Sequence, residues 1–176
     1  EKEIALMSME IEILRDYGAD GFVIGALTAE GKLDEAALEQ MIRRAQGRKI
    51  TLNRCFDVST DLLESYAAAQ RLSIETILTS GGSISCVQGM PMLRKLVAQR
   101  QKNTDPLIMI GAGVNAETVR TIRSEIPAVA AFHMSGKVLL ESKMKFRKAD
   151  VPMGTREFDE WHIMQTDENE VLVVAK

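Results

Sequence analysis

The sequence contains few of the residues that build metal modules and disulfide frameworks. Its 176 residues include two cysteines, two histidines and one tryptophan, and Cys55 and Cys86 are not arranged as a Cys-x-x-Cys pair. This composition excludes a compact zinc module and a small disulfide-stabilised fold. Because no disulfide framework is indicated, we expect a reduced, cytoplasmic setting.

The sequence also lacks an excess of positive charge and a long apolar run. Its 22 lysine and arginine residues are outnumbered by 25 acidic residues, which gives a net charge of −3. No basic field is available to attract nucleic acid or anionic lipid, and we expect neither as a partner. The longest uncharged stretch, residues 76–93, is interrupted by glycines and a proline. It is too broken to supply the roughly 20 apolar residues of a membrane span.

What the sequence does contain is an alternation of short apolar runs and amphipathic helical patterns. The apolar runs predict five strands, at residues 21–27, 49–56, 76–79, 107–110 and 128–134. A helix is predicted before the first strand, and another follows each strand except the last. Parallel strands need crossover connections, so this alternation predicts an α/β fold with a parallel sheet and right-handed crossovers.

The alternation stops at Gly136. Residues 141–156 are rich in cationic side chains and predict an extended, solvated segment. The remaining tail predicts a short helix after Thr166, where a threonine can cap it. Residues 171–174, which read Val-Leu-Val-Val, are equally compatible with a strand.

Polar residues follow the predicted strands at their carboxyl ends, where ligands bind in parallel sheets. We interpret Arg54, Asp57 and His133 as candidate catalytic residues, although Arg54 and Asp57 could instead form a structural ion pair. The small and hydroxyl-bearing residues of the rim predict a phosphate or carboxylate site. Its candidate members are Thr79, Ser80, Gly81, Gly111, Gly113 and Ser135. Cys55, His133 and Met134 are candidate metal ligands, since thiolate, imidazole and thioether groups bind metals, although a structural histidine and a core-filling methionine are the alternatives.

Six ordered blocks resemble the CutC copper-homeostasis family in sequence and spacing. They are residues 17–28, 53–57, 77–81, 111–114, 132–135 and 144–147. The resemblance extends over nearly the whole chain up to Gly154. Two positions depart from the family pattern, because this chain has Asn53 where the family has histidine and Cys55 where it has alanine.

The resemblance implies a (β/α)₈ TIM-barrel type fold of which five of the eight βα units are present here. We expect residues 1–154 to form this partial barrel and residues 155–176 to form a C-terminal tail. The chain starts at Glu1 inside a helical pattern, so we expect it to be a piece of a longer polypeptide. The exposed sheet edges of such a piece should be covered by further strands or by another chain.

The resemblance further implies a cytoplasmic copper-homeostasis protein that binds Cu(I) and is usually oligomeric, with no enzymatic reaction firmly attached to it. The alternative is a TIM-barrel enzyme acting on a small phosphorylated or carboxylated substrate at the strand ends. In that case Arg54 would hold an anionic group, and Asp57 or His133 would transfer a proton. A third interpretation is a binding barrel with a vestigial site.

Overall fold

The structure is a computed structural model, and it describes residues 1–148, 150–151, 153–154 and 160–175. The chain divides into two compact units, Glu1–Met134 and Ser135–Lys176. We describe each unit by itself. The predicted boundary between residues 154 and 155 adjoins residues 155–159, which lie outside the described residues, and it stays a prediction.

The first unit is built on a five-stranded parallel sheet. Its strands are β1 (Gly21–Ile24), β2 (Lys49–Leu52), β3 (Thr76–Thr79), β4 (Leu107–Ile110) and β5 (Ala131–Phe132), in that spatial order. Every neighbouring pair is parallel. Consecutive parallel strands joined by right-handed crossovers place all crossover helices on one face. The predicted α/β class and partial (β/α)₈ architecture are confirmed.

Five helices accompany this sheet, and their starts follow signals in the sequence. They are α1 (Lys2–Asp16), α2 (Glu35–Ala45), α3 (Leu62–Arg71), α4 (Met90–Gln99) and α5 (Ala116–Glu125). The Asp34 carboxylate accepts a hydrogen bond from the Ala37 N–H and so caps α2. Pro91 lies in the first turn of α4. Backbone N–H groups in the first turn have no acceptor within the helix, so proline costs no hydrogen bond there. Among the described residues, no helix combines the length and apolar character of a membrane span.

The core of this unit lies between the sheet and the helices. Alternate strand residues such as Ile24, Leu52 and Ile110 are buried in one cluster with side chains of α2 to α5. Residues of the opposite face are less buried, and Val23 is 65% exposed. In the described part of the chain, β1 and β5 each have one unpaired edge. A cleft of about 250 Å³ runs along the free edge of β1, beside α1.

Three strands are shorter than predicted: β1 and β2 end early because the chain turns, and β5 is shorter at both ends. Strand β1 ends at Ile24, since Leu27 and Leu33 then form an antiparallel bridge. Strand β2 ends at Leu52, where Asn53 starts a 3-10 helix over Arg54–Val58. Strand β5 comprises only Ala131–Phe132 instead of residues 128–134. Runs of apolar residues predicted the strands but could not locate these turns.

The second unit contains two strands that the sequence analysis missed. Strands β6 (Lys137–Glu141) and β7 (His162–Thr166) pair antiparallel and are followed by helix α6 (Glu168–Ala175). The prediction of a short helix after Thr166 is therefore correct, and the alternative strand at 171–174 is wrong. The mixed polarity of 137–141 and 162–166 hid the strand pattern, which becomes visible only through their pairing.

Gly89 provides a test of how closely the β3–α4 loop is packed. A Cβ atom at Gly89 would lie 1.7 Å from the Ser80 carbonyl oxygen, which belongs to the backbone and cannot rotate away. We predict that Gly89→Ala lowers the free energy of unfolding by about 3 kcal/mol, the upper range for overpacking. The measurement is urea denaturation.

Gly111→Ala is the matched control. A Cβ atom at Gly111 would meet the Leu78 Cδ1 atom at 2.9 Å, at the end of a side chain that can rotate. We expect this variant to lose less than about 1 kcal/mol. Equal losses in the two variants would contradict the close packing described for Gly89.

Candidate functional site

The carboxyl ends of the five parallel strands form one rim, and the predicted site residues of the first unit follow those ends. Asp57 follows β2, Ser80 follows β3, and Gly111 and Gly113 follow β4. His133 follows β5, and its N–H donates to the Ile110 carbonyl at 2.8 Å. The structure therefore brings the loops after β2 to β5 together at one edge of the sheet. Ser135 belongs to the second unit.

The position of Arg54 and Asp57 depends on the 3-10 helix after β2. The predicted strand over residues 49–56 includes Arg54, and Arg54 and Asp57 would point to opposite faces unless the strand ended between them. The strand ends earlier, because the Asn53 side chain accepts a hydrogen bond from the Cys55 N–H at 2.8 Å and caps the 3-10 helix. Three residues make one turn of such a helix, so Arg54 and Asp57 lie on the same side. The Arg54 Nε atom then donates to Asp57 Oδ2 at 2.7 Å.

The Asp57 carboxylate is the centre of the rim. Oδ1 accepts hydrogen bonds from the Thr79 hydroxyl, from the Ser80 N–H at 3.0 Å and from the Gly82 N–H at 2.9 Å. Oδ2 accepts from the Ser80 hydroxyl at 3.1 Å as well as from Arg54. The polar turn after β3 therefore directs its donors at the chain's own aspartate, and the predicted site for an external phosphate or carboxylate stays a prediction.

The electrostatics of this cluster follow from burial and hydrogen bonding. The Asp57 side chain is 4% exposed, whereas that of Arg54 is 45% exposed. Burial alone raises the pKa of the Asp57 carboxyl, but the hydrogen bonds from Thr79, Arg54, Gly82 and Ser80 outweigh it and hold the pKa below its usual value. Arg54 also donates to the Ser80 hydroxyl at 2.8 Å, so its guanidinium group is already hydrogen-bonded within the cluster.

The glycine turn after β4 is also satisfied by the chain itself. The Asn115 side chain accepts hydrogen bonds from the N–H groups of Glu117 and Thr118 at 3.0 and 2.9 Å, and so caps α5. Glu117 adds a negative charge to the first helical turn, where an external anion would have to approach. Gly113 adopts a φ of +78°, which glycine tolerates without strain. Glycine at 113 is therefore explained by the backbone geometry of the turn. The N–H groups of Glu117 and Thr118 are already bound to the Asn115 side chain.

Cys55 lies on the same 3-10 helix and packs against β1. A Cβ atom at Gly25 would lie 2.6 Å from the Cys55 sulfur and 2.1 Å from Asn53 Oδ1, so glycine is required there. Cys55 is partly exposed, and Cys86 is fully buried. Desolvation raises the pKa of the Cys55 thiol to about 11. The thiol is therefore protonated at neutral pH.

The predicted metal ligands do not form a preassembled cluster. Cys55 follows β2 and His133 follows β5, so two strands of the sheet lie between them. His133 is exposed and Met134 half-buried. Within residues 1–148 and the other described ranges, no group of three or more histidine, cysteine or acidic side chains could hold a metal ion.

Two glycines of the rim, Gly82 and Gly89, were not among the candidate site residues. Gly82 donates its N–H to Asp57, and it does so with a φ of +69°, which disfavours other residues. Gly89 lies against the Ser80 carbonyl. The signal that could have identified Gly82 is the pair of glycines after β3, because successive backbone N–H groups in such a turn can bind one anion.

A parallel sheet with consecutive strands, helices on one face and a polar rim at the strand ends is the arrangement of (β/α)₈-type proteins. The comparison with protein families is more specific, because the model of the CutC family matches residues 1–138. The chain belongs to the CutC family.

Individual relatives agree with this assignment. A CutC family protein of Histophilus somni is 34% identical over 99% of this chain, and one of Bacteroides thetaiotaomicron is 34% identical over 90%. The human copper homeostasis protein cutC homolog is 31% identical over 88% of the chain. This chain covers 70%, 63% and 55% of the lengths of these three relatives, respectively.

A solved structure is also similar. The crystal structure of a candidate copper homeostasis protein CutC from Streptococcus agalactiae matches with a TM-score of 0.69 and 27% identity. The match covers 76% of this chain and 64% of the other. The partial barrel therefore agrees with a fold seen in this family.

The lowered pKa of Asp57 predicts how the free energy of unfolding depends on pH. A carboxyl whose pKa is lowered by folding stabilises the fold above its usual pKa of 3.8, and this contribution is lost as the pH falls through the lowered value. We predict that Asp57→Asn destabilises the protein by about 3 kcal/mol at pH 7, since a buried charge partner is removed. The difference from wild type should shrink below pH 4, as measured by urea denaturation at each pH.

Asp20→Asn is the control, because it removes an exposed carboxylate of equal charge. It should change stability by no more than about 0.5 kcal/mol at pH 7. A destabilisation by Asp57→Asn that stays constant from pH 7 to pH 3 would contradict the electrostatic account.

Proposed function

We propose that this chain takes part in copper homeostasis by handling Cu(I) in the cytoplasm. The observation that carries the proposal is membership of the CutC family over residues 1–138, together with a human relative named as a copper homeostasis protein. Copper is the cargo in this proposal. The chain spans only part of the length of these relatives, so the proposal concerns what its own residues contribute.

Cys55 is the residue that we assign to Cu(I) contact. Thiolate is a soft ligand that favours Cu(I), and Cys55 is partly exposed at the strand-end rim, whereas Cys86 is buried. The described residues supply no closed ligand set around Cys55. We therefore propose an open contact, in which Cys55 supplies one ligand and the other ligands come from the donor of the ion, because β3 and β4 separate Cys55 from His133 and Met134.

Binding to Cys55 requires the loss of a proton. Because burial raises the thiol pKa to about 11, Cu(I) must displace a proton at every pH below that value. The apparent affinity should then rise about tenfold for each pH unit, since one proton is released per ion bound.

The alternative of an enzyme with a phosphorylated or carboxylated substrate has less support. Asp57 occupies the donors after β3, and Asn115 occupies two amides at the start of α5. An incoming anion would have to displace a side chain of the protein at either position. Binding of inorganic phosphate by the wild-type chain would favour this alternative if the Cys55→Ser and Cys86→Ser variants bound phosphate equally well.

The test is titration of Cu(I) against a competing chelator. We predict that Cys55→Ser removes one bound Cu(I) or weakens its binding at least tenfold, because a hydroxyl is a much poorer ligand for Cu(I). Wild-type affinity should rise between pH 6 and pH 8, and that of Cys55→Ser should rise less. Isothermal titration at each pH provides the measurement.

Cys86→Ser is the matched control, because it removes the other thiol from a buried position. Its stoichiometry should equal that of the wild type. Unchanged stoichiometry and affinity in Cys55→Ser would remove Cys55 from the site, and absence of Cu(I) binding by the wild type would contradict the proposed function itself.

A further inference from the structure

The ribbon formed by β6 and β7 carries apolar side chains on both faces. Leu139 lies opposite Met164, and Leu140 lies opposite Ile163. Neighbouring residues of a strand point to opposite faces, so each face of the ribbon has one of these pairs. The four side chains are between 42% and 65% exposed. A two-stranded ribbon alone in water is at best marginally stable, so burial of this apolar surface would stabilise it.

One edge of β6 is also unpaired. Among the described residues, β6 forms hydrogen bonds with β7 and with no other strand. Its other edge presents backbone N–H and C=O groups, which favour pairing with a further strand. Both features favour a partner strand along this edge.

The sequence of β6 is complementary to itself. Its five residues begin with Lys137, end with Glu141 and have Leu139 at the centre. Two copies of β6 paired antiparallel about Leu139 place each Lys137 opposite the Glu141 of the other copy. Opposite charges in directly facing positions stabilise a strand pair, whereas like charges destabilise it. Strand β7 has no such symmetry, since its ends are His162 and Thr166.

We propose that β6 pairs antiparallel with β6 of a second copy of this chain, forming a four-stranded sheet across a two-fold axis. The axis passes at Leu139, so each Leu139 faces its own counterpart, and Val138 faces Leu140. A two-fold axis makes the interface isologous, which is the commonest arrangement of homodimers. The pairing satisfies the free edge of β6 and brings the apolar pairs of the two ribbons side by side.

Glu141 is able to take part in this interface. Its Oε1 atom accepts a hydrogen bond from Arg147 at 2.8 Å, and its side chain remains 71% exposed. The second carboxylate oxygen is therefore accessible to Lys137 of the other copy. Lys137 is exposed as well.

Cysteine cross-linking tests the register. Because residue 139 faces itself, Leu139→Cys should form a disulfide-linked dimer under mild oxidation, as seen on a non-reducing gel. Leu140→Cys is the matched control on the same strand, since it faces residue 138, and the wild type controls for Cys55 and Cys86. A dimer band in Leu139→Cys at least fivefold stronger than in both controls supports the proposal. Equal bands or no band would overturn it.

Charge exchange tests the complementarity, with sedimentation velocity over a concentration series as the measurement. Lys137→Glu and Glu141→Lys each place like charges opposite one another at both ends of the interface. Each should weaken the dimer at least tenfold. The double exchange restores opposite charges and should return the affinity to within about threefold of wild type. A monomeric wild-type protein, or a double variant no better than the single ones, would overturn the proposal.

Discussion

The rim of the partial barrel depends on the burial of one carboxylate. Asp57 is almost fully enclosed, and an enclosed charge is tolerated only when hydrogen bonds and an opposite charge compensate its lost hydration. The compensation comes from a second loop, through Thr79, Ser80 and Gly82, and from Arg54 one turn earlier. Asp57 therefore joins the loops after β2 and β3 and fixes the geometry of the strand ends.

This interaction also limits what the rim can do. The backbone amides that would cradle an external phosphate are directed at Asp57, and the positive charge of Arg54 is directed there too. In the described rim, the donors around Asp57 are satisfied internally, and a thiol whose pKa is raised to about 11 lies beside them. An anionic substrate would have to displace Asp57 to reach these amides, and under the proposed function Cys55 is the group that meets the soft cation.

The fold could be predicted from the sequence because strand and helix periods alternate with few exceptions. The convergence of Asp57, Ser80, Gly111 and His133 on one rim followed from parallel strands alone. The hydrogen bonds between Asp57 and the turn after β3 could not be predicted, since they depend on where β2 ends and on the 3-10 helix that Asn53 caps. The β6–β7 ribbon was missed for a related reason. Strand pairing between distant segments is set by tertiary contacts that local propensity does not record.

Chemical rescue tests the central role of Asp57 most directly. Asp57→Ala removes the carboxylate and leaves its donors around a space of similar size, which formate can enter. We expect formate to raise the melting temperature of Asp57→Ala relative to chloride at equal ionic strength, because a ligand that binds only the folded state stabilises it. Wild type should show no such difference. Asp61→Ala, which removes an exposed helix cap, should show none either. An Asp57→Ala protein as stable as wild type, or one that formate does not stabilise, would contradict the account.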